Sequence, residues 1–109
     1  MQLTSSSFGH LARIPGEFAF CVPDPAQHAR FGGNRNPQLS WSNVPAATRS
    51  LVLICYDSDV PTRADDVNQE GRTVPAGLPR ADFFHWTMVD IAPTVREIGG
   101  RFHVTPRAA

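Results

Sequence analysis

Lysine is absent from this 109-residue chain. Its ten positive charges are all arginine, scattered from Arg13 to Arg107, and ten acids balance them to a formal net charge of zero. That balance argues against bulk electrostatic binding to nucleic acid or an anionic membrane, both of which favour basic clusters. Guanidinium groups suit carboxylate and phosphate contacts, although a GC-rich genome produces the same bias. Cysteine is nearly as scarce. Cys21 and Cys55 are too few and too far apart for a disulfide framework or a zinc ribbon, and both read as reduced core thiols. No apolar run reaches the length of a membrane span. The first residues lack the charged start and apolar stretch of a secretory signal. These absences lead to the expectation of a single soluble, cytoplasmic domain. HxH, HExxH, GxSxG, GxGxxG and P-loop patterns are all missing, so no cofactor is expected.

Proline, in contrast, is abundant. Ten prolines spread from Pro15 to Pro106 leave little room for long helices. The chain reads as mainly β, with strands expected over residues 2–6, 18–21, 38–42, 50–57 and 83–91. Residues 51–56 are apolar on both faces, the pattern of a central strand covered on both sides. Residues 83–90 alternate: Phe84, Trp86 and Met88 on one face, Phe83, His85, Thr87 and Val89 on the other. Residues 62–82 read as a long polar loop and 23–36 as a second one. A loop of the first one's length is usually functional or disordered. Residues 95–100 read as a turn or a helical turn closed by glycine.

Two segments carry the chemistry. The apolar run at 51–56 ends abruptly in Asp57, Ser58, Asp59, Val60 and Pro61. On an extended backbone Asp57 and Asp59 face the same side, and Pro61 presets the chain direction. The competing reading is that these residues simply cap a turn after a strand. His85, between Phe84 and Trp86, is either a core histidine with one partner or half of a site. A carboxylate approaching it would fix its tautomer and favour its protonation, and an imidazolium donates well to phosphate or carboxylate. Two carboxylates and one imidazole are an incomplete metal set, and no metal is expected. An acid–base pair of Asp57 and His85 is the enzymatic alternative, but no motif demands it.

These residues resemble the phosphatidylethanolamine-binding protein family, which includes the Raf kinase inhibitor proteins and their bacterial relatives. Asn36-Pro37-Gln38-Leu39-Ser40-Trp41 resembles the family's SPxLxW segment, with asparagine in place of serine. Val44-Pro45 and then residues 50–61 resemble VP…SxALxxxDPDAP, and residues 84–92 resemble HWxxxNIP. Leu3 to Phe8, followed by Ile14-Pro15, resembles the bacterial opening LxSxxFxxxxxIP. The order and spacing of four matches make the resemblance specific, and it runs from about residue 2 to 98.

The resemblance implies an antiparallel β-sandwich, a large central sheet packed on a smaller one with few short helices. It also implies a shallow anion pocket at the sheet edge. Asp57, Asp59, Pro61 and His85 match pocket positions, with Trp86 packed beneath. The implied role is non-catalytic binding of a small phosphorylated or carboxylated ligand, such as a phosphoryl head group. The alternative is a regulatory protein that inhibits a protease or kinase by direct contact through the 62–82 loop, which resembles an insertion in some bacterial members. The family continues with a strand bearing HRYxFxLYAL, and His103 does not fit it. The chain thus resembles the first two thirds of the domain. Either it is a fragment of a longer protein or a partner chain supplies the remaining strands, and a homodimer or an unstable fragment is expected, since an unpaired strand edge invites association.

Overall fold

The computed structural model describes residues 1–100; His103 lies outside them. The elements in chain order are β1 (Gln2–Thr4), a 3₁₀ turn (Gly16–Phe18), β2 (Cys21–Asp24), β3 (His28–Phe31), β4 (Leu39–Ser42), β5 (Leu51–Pro61), β6 (Arg80–Ile91) and β7 (Glu97–Ile98). The protein is mainly β and every strand pairing is antiparallel. The described residues separate into two compact units: residues 1–48 together with 93–100, and Arg49–Ala92.

The first unit is built on a sheet of order β1-β4-β7. Trp41 is its packing centre. Only 7% of it is exposed, and its indole Nε1 donates to the Val95 carbonyl at 2.9 Å. Its backbone N–H donates to the Arg96 carbonyl at 2.9 Å. Those two bonds draw the chain into β7, so residues 95–100 contain a short strand where the sequence reads as a turn. Asn36, 3% exposed, donates its amide N–H to the carbonyls of Gly99 at 2.9 Å and Pro37 at 3.2 Å. An amide suits that place because it carries two donors. The serine run after β1 is bound to Gln38. The Gln38 side-chain oxygen accepts from the Ser6 N–H at 2.8 Å, and the Gln38 N–H donates to Ser7 Oγ at 2.9 Å. Side chains thus extend the β1–β4 pairing past its last backbone pair, Thr4 with Ser40.

Residues 18–21 do not form a strand. The 3₁₀ turn ends at Phe18, and β2 begins only at Cys21. The 23–36 segment is not a loop throughout, because β2 and β3 form a hairpin within it. Asp24 makes the turn: its carboxylate accepts the N–H groups of Ala26 at 2.8 Å and Gln27 at 2.9 Å, the side-chain turn that aspartate favours. Gly32 and Gly33 then pass close to the 3₁₀ turn. A Cβ on Gly32 would lie 2.2 Å from the Ala19 carbonyl oxygen, and one on Gly33 2.4 Å from that of Glu17. Only glycine fits there.

The second unit is a long hairpin of β5 and β6. Its connection is shorter than the sequence suggests, since Arg80, Ala81 and Asp82 already belong to β6. Three irregularities interrupt the ladder. Leu51 pairs with Ile91 and Leu53 with Met88, so β6 holds one extra residue there. Asp90, with φ +56°, occupies that stretch, the kind of backbone a bulge requires. Cys55 pairs with Trp86 and Tyr56 with Phe84, so His85 is the extra residue of a second bulge. Asp57 pairs with Phe83 and Val60 with Ala81, which leaves β5 one residue over at Ser58 and Asp59.

Two sequence expectations fail here for one reason. Leu51 to Tyr56 is not covered on both faces: Val52, Ile54 and Tyr56 are 55%, 49% and 56% exposed. Cys55 is exposed as well, and so is Cys21 in the first unit. Among the described residues β5 has one strand neighbour, β6. The expected alternation of β6 also changes. The bulge at His85 sends Phe84, 59% exposed, to the face opposite Trp86, which is partly buried.

Candidate functional site

All five residues singled out in the sequence lie on the β5–β6 hairpin. His85 is exposed and sits in the bulge, with its ring edge-on to Phe83 at a centroid distance of 4.9 Å. Phe83 in turn is the strand partner of Asp57. Trp86 stands across from Cys55, and Pro61 across from Arg80; both Trp86 and Pro61 are partly buried.

The two carboxylates are engaged differently. Asp57 accepts the N–H of Asp59 at 2.8 Å, so it holds the acidic turn in shape. Asp59, whose side chain is 82% exposed, lies 3.9 Å from the Arg80 guanidinium. Strict alternation would have placed both on one face, but the extra β5 residue between Asp57 and Val60 breaks it. Among the described residues neither carboxylate forms an ion pair or hydrogen bond with His85. The structure therefore brings Asp57, Phe83 and His85 into one neighbourhood and directs Asp59 to Arg80.

Arg80 is the residue that sequence reading missed. The sequence pattern places it in the 62–82 loop, yet it opens β6 and contacts both Asp59 and Pro75. It donates to the carbonyls of Asp59 at 3.4 Å and Pro75 at 3.3 Å. The available signal was an arginine directly after Pro79, at the start of the alternating run. Cys55 is the other titratable group of note beside the site. Neighbouring atoms desolvate its thiol and push its pKa up from the ordinary value of 9.0.

An open groove of 330 Å³ lies in the first unit, lined by Arg13, Pro15, Cys21 and Val22 among others, and contains none of the five residues. Among the described residues no three His, Cys, Asp or Glu side chains gather in a way that could hold a metal ion. No helix among them is long and apolar enough to cross a membrane.

Comparison with known proteins gives this hairpin its context. The sequence profile described as Phosphatidylethanolamine-binding protein matches residues 4–108. The chain belongs to the phosphatidylethanolamine-binding protein family. Among curated family relatives, the UPF0098 protein YbcL of Escherichia coli (strain K12) is 36% identical over 64 residues, covering 59% of this chain and 26% of its own length. YbhB of the same strain is 32% identical over 65 residues, 60% of this chain and 30% of its own. A UPF0098 protein of Chlamydia trachomatis is 32% identical over 98 residues, 90% of this chain and 50% of its own. The chain thus spans between about a quarter and a half of the length of these relatives. No solved structure matches it.

Proposed function

We propose that this member of the phosphatidylethanolamine-binding protein family binds a small anion or phosphoryl head group, without covalent chemistry. His85 carries the reading. Its ring lies edge-on to Phe83, the strand partner of Asp57, and the bulge leaves it exposed to solvent. A protonated imidazole there donates to a phosphate or carboxylate oxygen. Asp57, Asp59 and Pro61 shape the mouth, and Trp86 supports the partly buried side of the strand. The exposed free thiols of Cys21 and Cys55 fit a protein that works in the reducing cytoplasm.

The test is a titration of the full chain with phosphate and then phosphoethanolamine, followed by NMR at the His85 ring. Saturable shifts in the wild type, lost in His85→Ala, are the expected result. No shift with either ligand refutes the reading.

Inhibition of a protease or kinase is the second reading, favoured by the closed neck of the 62–79 connection. There Thr62 donates both its N–H and its hydroxyl to the Pro79 carbonyl, at 3.1 and 2.8 Å. Deleting residues 67–77 abolishes partner binding under this reading and only tunes anion affinity under the first.

A further inference from the structure

We propose that Arg80 is the positioning residue of the anion site. This rests on the binding reading above and adds to it a residue that touches no ligand. A continuous line of contacts runs from Arg80 to His85. The guanidinium donates to the Asp59 carbonyl at 3.4 Å and lies 3.9 Å from the Asp59 carboxylate. The Asp59 N–H donates to the Asp57 carboxylate at 2.8 Å. Asp57 is the strand partner of Phe83, and Phe83 carries the His85 ring at 4.9 Å.

The bulge in β5 explains why such a brace is needed. Ser58 and Asp59 occupy the place of one paired residue, so the ladder does not fix them. Arg80 supplies the missing constraint from the opposite strand. Its third contact, to the Pro75 carbonyl at 3.3 Å, ties the connecting segment to the same point. Exposure separates Arg80 from a solvated surface charge. Its side chain is 28% exposed, against 63%, 72% and 59% for the ion-paired Arg30, Arg63 and Arg72. The positive charge also offsets Asp59, which lowers the repulsion an anion meets at a site with two carboxylates. Lysine is a poor substitute because a single ammonium does not reproduce the planar fork that reaches both carbonyls.

The experiment compares wild type, Arg80→Gln and Arg80→Lys as the ¹⁵N-labelled 109-residue chain, with inorganic phosphate as the probe. Two quantities are read: hydrogen exchange of the Asp59 amide without ligand, and phosphate affinity from the His85 ring shifts. In Arg80→Gln the Asp59 amide exchanges faster and affinity falls about fivefold, equivalent to ~1 kcal/mol. Arg80→Lys lies between the two. Amide dispersion checks folding, and Arg80→Lys stands in if the glutamine variant does not fold. An unchanged Asp59 amide, or an unchanged affinity in a variant of a binding-competent protein, overturns the inference. A wild type that shows no phosphate response refutes the binding reading itself, a separate outcome.

Discussion

Tyr56 and Phe84 face each other across the hairpin with ring centroids 5.9 Å apart, while the adjacent Cys55 pairs with Trp86. One step along β5 therefore matches two steps along β6, and the residue left over is His85. The bulge does two things at once. It separates two aromatic residues that simple alternation puts on one face, and it presents the imidazole at an irregular point of the ladder. Bulges commonly re-aim a side chain in this way.

The first unit depends on Trp41. Replacing it with phenylalanine keeps most of the apolar area and removes the donor to the Val95 carbonyl. The expected loss is about 1–2 kcal/mol, the cost of an unmade hydrogen bond in a mostly buried place. Trp41→Ala adds a cavity and costs about 3–5 kcal/mol. Chemical denaturation followed by the NMR amide signals of the first unit checks both, and equal midpoints for all three proteins contradict this account.

The Asp24 turn carries a pH dependence. The N–H groups of Gln27 and Ala26, with a smaller contribution from Arg30, hold the Asp24 pKa below its ordinary value of 3.8. Its stabilising effect is therefore fully present above that value and is lost as pH falls through the lower folded value. The Ala26 and Gln27 amide resonances should hold their positions down to about pH 4 and then shift as the carboxylate they bond is protonated. Asp24→Asn should remove that acid-side transition, and its persistence in the variant would assign it to another group.

Cys55 reports in the opposite direction. Desolvation raises its pKa, so the folded state disfavours the thiolate. Folding stability should fall as pH rises from about 9.0 toward the higher folded value. In a Cys21→Ser background, alkylation of Cys55 by iodoacetamide should be slow at neutral pH despite its exposure, and its rate should still be climbing above pH 9. A rate that levels off below pH 9 contradicts the raised value.

The open face of β5 favours association. Val52, Ile54, Tyr56 and Phe84 are all exposed, and apolar faces and unpaired strand edges draw in further chains. Light scattering on the purified chain should give a mass of two copies or more. Ile54→Lys with Phe84→Ser should reduce it, and a monodisperse wild-type monomer rules the expectation out.

Much was legible in local pattern. Ten prolines and short apolar runs pointed to a β protein, because proline in a helix interior removes a backbone donor and clashes with the preceding turn. The strand expected over 38–42 is β4, Leu39–Ser42. The runs at 50–57 and 83–91 marked the two long strands, which reach further, to Pro61 in β5 and back to Arg80 in β6, and the order of four motifs indicated the family that the profile match supports. Register was beyond its reach. Periodicity assumes one residue opposite one residue, and three bulges in a single hairpin violate that. So the separation of Asp57 from Asp59, the turning of Phe84 away from Trp86, and the reach of Arg80 to Asp59 and Pro75 were settled only in three dimensions. The exposure of Val52, Ile54 and Cys55 was settled there too. An apolar sequence shows that a strand can be buried, but only its neighbours determine whether it is.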